Sequence, residues 1–256
     1  MAARSGALRR YELYGNPGTA DGRIKGGTIS QRQFQDNPEQ AKLSGFKIRK
    51  DIKRPKRSEL LAEFIGIMLG DGGMSKYQVH ITFNREQDKE YADYVGNIVK
   101  KLFSVPSIIV SGGKNDKGDD VVVSSRNLVE YLQHFTGLKE GDKIRNKASV
   151  PSWIRSNDKY IAACLRGLID TDGSFYSYRH KVNGKIYEHY ALDFTSRCPG
   201  ILNGAKGMFM DLGLKFVSSE HKAVLYKKND INNYIRLVGT SNPRIYGVFQ
   251  RFLKSN

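Results

Sequence analysis

Several residue types and patterns are scarce in this 256-residue chain, and each scarcity removes a class of function. The two cysteines, Cys164 and Cys198, are too few and too far apart for a disulfide framework or a zinc knuckle. Cys164 falls on the apolar side of a helical run and reads as a small core residue. The histidines, His80, His134, His180, His189 and His221, keep no metal-type spacing with acids or cysteines. No apolar run approaches the roughly 20 residues that a membrane span needs. No glycine-rich loop suited to cradling phosphate occurs, and Gly112-Gly113 needs only a turn to explain it. Acid is short as well: 26 Asp and Glu face 42 Lys and Arg, leaving +16 and a pI near 9.7. Such a balance points to a polyanionic partner.

The positive charge is uneven. Residues 1–57 hold 14 Lys/Arg against 5 Asp/Glu, a net +9, which leaves +7 for the other 199 residues. Glycine and proline are frequent there, and no apolar periodicity lasts beyond a turn. The end is densest, with Lys47, Arg49, Lys50, Lys53, Arg54, Lys56 and Arg57. This segment reads as an arm that orders along phosphates in preference to a solvated tail, with Lys53 and Arg54 as contacts. Its first ten residues are free of acid, as in transit peptides, but Glu12 ends that run and argues against targeting.

The remainder reads as an internal repeat, 58–138 and 158–256, joined by a linker at 139–157. In the first copy the pattern predicts a helix from Ser58 to Leu69, a short strand, then Gln78–Asn84. A helix follows at Asp88–Phe103, strands at Ile108–Ser111 and Val121–Ser124, and a helix at Asn127–Phe135. In the second, a helix at Asp158–Ile169 precedes a hairpin, Ser174–Val182 and Lys185–Thr195, turning on Asn183-Gly184. Then come a helix at Ile201–Leu212, strands at Phe216–Ser219 and Ala223–Tyr226, and a helix at Asp230–Val238. Asp71 and Asp172 lie 101 residues apart and Gly137 and Gly239 lie 102 apart, whereas Phe83 and Phe194 differ by 111 because the second hairpin is longer.

Two stretches organise both copies. Glu63–Ser75 reads E-F-I-G-I-M-L-G-D-G-G-M-S, and Cys164–Tyr176 reads C-L-R-G-L-I-D-T-D-G-S-F-Y. Laid together, Gly66 meets Gly167 and Asp71 meets Asp172. Glycine in a helix interior costs about 1 kcal/mol relative to alanine, so a matched pair needs a reason. Close approach of two helix backbones supplies one. An aspartate at a helix C-terminus meets the negative end of the helix dipole. Two of them at a helix crossing leave neighbouring negative charges that call for a cation.

Leu165–Gly173, L-R-G-L-I-D-T-D-G, matches the motif of the LAGLIDADG homing endonucleases at every position but two, and Phe64–Gly72 is a looser copy. The chain therefore resembles the single-chain, two-repeat form of that family. The resemblance implies an α+β fold of two pseudo-symmetric αββαββα repeats packed through the motif helices, whose antiparallel sheets form a DNA-binding saddle. It implies site-specific double-strand cleavage of a long asymmetric target with divalent metal, leaving short 3′ overhangs. The matching acids, Asp71 and Asp172, would be catalytic and hold the ions, helped by the carbonyls of Gly70 and Thr171. Mg2+ or Mn2+ would support cleavage, with Ca2+ as a non-catalytic substitute. Asp170, absent from the first copy, reads as structural. Relatives also carry a basic residue near the metals; Lys143, Lys147 and Arg244 are positional candidates, with Gln87 and Asn84 weaker ones for placing water.

Strand patterning completes the expectation. Val79, Ile81 and Phe83 form one face, and Gln78, His80, Thr82 and Asn84 the other; in the second copy His189, Asp193 and Thr195 face outward from Tyr190, Leu192 and Phe194. With Arg85, Arg179, Lys181 and Lys185 these are side chains that can read a major groove. The expected protein is a monomer with an internal pseudo-twofold, bound to double-stranded DNA and to no membrane, inside the cell wherever that DNA lies. The absence of protein-splicing residues favours a free-standing or intron-encoded enzyme. The alternatives on this scaffold are a maturase that binds intron RNA and a catalytically silent DNA-binding protein.

Overall fold

A computed structural model describes residues 2–45, 49–112 and 117–254 and divides the chain into two units, Met1–Arg49 and Lys50–Asn256. The first unit is helical: α1 (Ala2–Tyr14), α2 (Ala20–Asp36) and α3 (Pro38–Leu43). The residues expected to form an arm along phosphates are thus helical over most of their length. The local signals are caps, not periodicity: Thr19 Oγ1 accepts from the Gly22 amide at 3.1 Å, and Asn16 Oδ1 accepts from the Gly18 amide at 2.9 Å. The α1–α2 corner is tight enough that a Cβ on Gly22 would overlap the Asn16 carbonyl. Of the unit's described side chains only Gly22 and Ala41 are buried, so no apolar stripe existed to be read. Lys47 lies outside the described residues.

Residues 50–57 belong to the second unit. They run as an extended strap over the helices of the first repeat. The Lys53 amide donates to Phe103 O at 2.9 Å, Asn127 Nδ2 to Lys50 O at 2.9 Å, and Tyr131 Oη to Pro55 O at 2.8 Å. Lys53 and Arg54 thus ride on the helical layer and not on a sheet.

The first repeat comprises α4 (Glu59–Leu69), β1 (Gly72–Met74), β2 (Gln78–Asn84), α5 (Lys89–Phe103), β3 (Ile108–Ser111), β4 (Gly118–Ser124) and α6 (Arg126–Thr136). A 3-10 turn at Ser152–Ser156 leads into the second: α7 (Asp158–Asp172), β5 (Gly173–Val182), β6 (Lys185–Thr195), α8 (Pro199–Asp211), β7 (Val217–Ser218), β8 (Lys222–Leu225), α9 (Lys228–Leu237) and α10 (Pro243–Lys254). The two sheets share one antiparallel order, β1-β2-β4-β3 and β5-β6-β8-β7. The fold is therefore the expected α+β pair of repeats. Helix α10 is additional. It closes the second core with Ile245, Phe249 and Phe252, the last two packed edge-on against Phe175. Among the described residues no helix is long and apolar enough to cross a membrane.

One apolar core runs through both repeats. At its centre α4 packs on α7. Both helices are buried along most of their length because both are apolar around most of their circumference. The two matched glycines are the points of contact: a Cβ on Gly66 would overlap the Cys164 carbonyl, and a Cβ on Gly167 would overlap the Glu63 carbonyl. Residues 63 and 164 are themselves repeat equivalents, so the crossing is twofold down to the atoms that touch.

Candidate active site at the helix crossing

The crossing delivers both aspartates to one place. α4 ends at Leu69, and the Gly70 amide donates back to Gly66 O at 3.0 Å, so Asp71 leaves from the corner into β1. α7 runs through Asp172, and Gly173 caps it by donating to Ile169 O. Gly70 abuts Thr171: a Cβ there would overlap the Thr171 hydroxyl and lie 3.6 Å from Asp172 Oδ2. The Asp71 and Asp172 carboxyls are in hydrogen-bonding contact. Burial, then the charge of Asp172, raises Asp71 above the ordinary carboxyl range; burial also raises Asp172, against the pull of Lys143.

Lys143 comes from the linker. Its ammonium donates to the Gly70 carbonyl and faces both acids, while burial lowers its proton affinity and the two carboxylates restore part of it. A cation therefore already sits where the acid pair demands one. Among the described residues neither of the other two positional candidates pairs with the acids. Lys147 is exposed and left-handed, at φ 52°. Arg244 is held by Asp88, Nε to Oδ1 at 3.0 Å.

A divalent ion at this crossing would find two carboxylates and the Gly70 carbonyl. Among the described residues no group of three or more His, Cys, Asp or Glu gathers to hold a metal. The donor set is all oxygen and incomplete, which suits a hard ion that keeps water and takes further oxygens from a substrate phosphate. The residues fit such an ion on condition that the Lys143 ammonium yields the Gly70 carbonyl.

Behind the acids lies a buried polar network that pattern reading missed. Glu63, 2% exposed, stands inside α4 and accepts from Arg166 Nη2 of α7 at 2.6 Å, from Tyr94 Oη at 2.8 Å and from Ser241 Oγ at 2.7 Å. Asp170 accepts from the Ser241 amide at 2.7 Å and from the Thr240 hydroxyl, and burial raises it to about 7. Asp170 is thus structural: it pins the turn between α9 and α10. The available signal was an acid, Glu63, in an otherwise apolar helix.

The sheets place the remaining candidates. Gln78, His80 and Thr82 do lie on the face away from the core, but two are already engaged: Gln78 Nε2 donates to Ser124 Oγ at 3.0 Å and Thr82 Oγ1 to Asp120 Oδ1 at 2.6 Å. Asn84 is a turn residue whose Oδ1 accepts from the Glu86 and Gln87 amides, and Arg85 Nε pairs with Asp119 at 2.7 Å. Asp193, expected outward and free, is 4% exposed beneath Lys222, whose Nζ lies 2.7 Å from its Oδ2. In the hairpin the register Phe175↔Leu192 puts Arg179 and Lys181 on the side of those core residues. Lys185, His189 and Thr195 take the other face, because strand side chains alternate.

Residues 159–246 match the LAGLIDADG-like domain family. Crystal structures of the meganuclease I-SmaMI are similar to this chain in fold. The form bound to uncleaveable DNA has a TM-score of 0.52 at 12% identity over 77% of this chain and 90% of that one. The form bound to cleaved DNA has the same TM-score and identity, over 79% and 89%. A third, with an uncleaved target and calcium ions, also gives 0.52 at 12% identity, over 78% and 90%. In sequence, 118 residues, 45% of the chain, are 33% identical to the replication factor C small subunit of Methanocaldococcus jannaschii, and they span 6% of that protein's length.

Proposed function

We propose that this protein is a site-specific DNA endonuclease of the homing type, which cuts both strands of a long asymmetric target with divalent metal and leaves short 3′ overhangs. One observation carries the reading: two repeats, twofold about a glycine-to-carbonyl crossing, bring one half-buried carboxylate each into contact beside the first strands of the two sheets. Paired acids held out of water at matched helix ends make a poor structural device, because each raises the energy of the other's charge. They make a good site for cations. The related fold of I-SmaMI, solved with uncleaved target and calcium ions and with cleaved DNA, supports the same direction.

In this reading Asp71 and Asp172 hold the ions, with the Gly70 and Thr171 carbonyls alongside. Bound magnesium or manganese would supply the activated water and the stabilisation of developing charge on phosphate. The chain's own part is to keep the two acids fixed by the Gly66 and Gly167 contacts, to exclude bulk water from the crossing, and to offer Lys143 as a charged donor to the phosphate group. Outward faces of the sheets meet the duplex; Gln78, His80, Thr82, Lys185, His189 and Thr195 are the residues placed to do so. The molecule acts as a monomer, since each repeat serves one strand.

The alternative of a catalytically silent DNA-binding protein draws on Lys143, whose ammonium neutralises the acid pair without any ion. A plasmid library or randomised duplex pool incubated with Mg2+ separates the readings. The nuclease yields unique double-strand breaks that Asp71→Asn and Asp172→Asn abolish. Binding without cutting favours the silent protein, and binding confined to structured RNA the maturase. Cleavage undiminished in both variants removes the assignment of the acids.

A further inference from the structure

The two sheet faces differ in a way the shared topology does not require. None of the strand residues in β1–β4 is Lys or Arg, whereas the outward face of β5–β8 carries Lys185 and Lys222. In the first sheet the register Ile108↔Val122↔His80 and Val110↔Asp120↔Thr82 sets Ile108, Val122 and Val110 on the same face as His80 and Thr82. Ile108 is 60% and Val110 43% exposed, on an edge strand of the sheet. The carboxylate on that face, Asp120, is tied down by Thr82.

Resting on the nuclease reading above, we propose that this first-repeat face reads its half of the target by thymine methyl groups, with Ile108, Val110 and Val122 as the specificity-determining residues. In the major groove guanine is taken by Arg or Lys through O6 and N7, while an apolar side chain finds only one apolar feature, the C5-methyl of thymine. Among its strand residues this face has no Lys or Arg, Gln78 is engaged by Ser124 and Asp120 by Thr82, and the exposed side chains Ile108 and Val110 are aliphatic, so against base edges the feature they fit is the thymine methyl. Continuity with the acid pair makes DNA the occupant: β1 leaves directly from Asp71 and pairs with β2, so the face begins at the reaction centre. The second-repeat ribbon, with Lys185 on the same face as the stacked rings of His180, His189, Tyr178 and Tyr187, is the internal control.

The test starts from the target selected out of a randomised duplex pool. Duplexes are then made in which thymines of one half-site or the other are replaced by deoxyuracil, a change that removes only the methyl. Affinity is measured in Ca2+ for the wild type and for Ile108→Ser with Val110→Ser, two exposed positions that leave the core untouched. We expect deoxyuracil in one half-site to weaken wild-type binding about fourfold per contacted methyl, the worth of one buried methyl group. The other half-site should be indifferent, and the variant should lose the sensitivity. A target that is cut but is indifferent to deoxyuracil, or equally sensitive in both halves, overturns this inference and leaves the nuclease standing. Concentration-dependent dimers of the wild type that the variant abolishes would assign the strip to a second copy and overturn it as well. A pool that yields no target overturns the nuclease reading, and this one with it.

Discussion

The two repeats have one topology and opposite electrostatics. Residues 58–138 hold 8 Lys/Arg against 11 Asp/Glu, while 158–256 hold 15 against 8. Their motif helices differ in the same sense: α4 is apolar but for its ends and Glu63, and α7 carries Arg166, Asp170 and Thr171 inward. Their hairpins differ too, since β1 pairs with β2 over three residues whereas β5 and β6 pair over ten. What is kept is the part that has to be twofold: the glycine contacts, the acids and the strand order. What has diverged is the surface, where each half meets a different stretch of partner. Symmetry is retained where two carboxylates must converge and released where they need not.

The largest test of that division is at the acids. Asp71→Asn and Asp172→Asn should each lower double-strand cleavage by about three orders of magnitude while leaving binding in Ca2+ intact, as read by gel assays. Equal losses mean the acids are equivalent; a nicking activity surviving in one variant would show that each serves its own strand.

Next comes the asymmetric pair Glu63–Arg166, which joins the repeats only one way round. Arg166→Met strands a buried carboxylate and should cost about 3–5 kcal/mol in urea unfolding, most of it regained when Glu63→Leu is added. No regain would mean the pair does more than fill its site.

Asp170 has no acidic counterpart in the first repeat, and its carboxyl is raised to about 7 by burial. The folded state therefore keeps a proton that the unfolded chain releases near 4. This contribution to stability is complete below that lower value and is lost as pH rises through about 7. Thermal melts of Asp170→Asn should show a flatter fall between pH 5 and 8 than the wild type; parallel curves would place the proton elsewhere.

Gly66→Ala and Gly167→Ala probe the conserved symmetry. Each methyl meets a carbonyl of the facing helix, so both should destabilise by about 1–3 kcal/mol, and by similar amounts. A tolerated variant on one side would show that the crossing is less twofold than its backbone. The smallest effect belongs to the surface: Lys185→Ala should reduce the slope of log affinity against log salt by about 1, and Gln78→Ala should leave it unchanged.

Much of this was legible in the residues. The period-two run 78–84 and the Asn183-Gly184 turn specify strand faces and a hairpin directly, and two Gly-x-x-x-x-Asp-Gly ends about a hundred residues apart announce a repeated helix crossing. Such features are local: side-chain alternation and turn chemistry depend on neighbours in sequence. Reading failed where the deciding partner was distant. Arg85, Asp193 and Arg244 look like free polar groups until Asp119, Lys222 and Asp88 are brought to them. Helix α10 was overlooked because its apolar side shows its purpose only beside Phe175. Helices α1 to α3 lack a buried apolar stripe, and the side chain that caps α2 is Thr19.

By itself, then, the order of residues determined the repeated αββαββα plan, the buried glycine faces and the identity of the two acids at the helix ends. Only the folded molecule decided that those acids come together, that Lys143 from the linker faces them both, and which side chains share each outward sheet face. The physical reason is range. Periodicity and turns act within a few residues, whereas charge coupling, ion pairing and the choice of face depend on chains that fold back from tens of residues away.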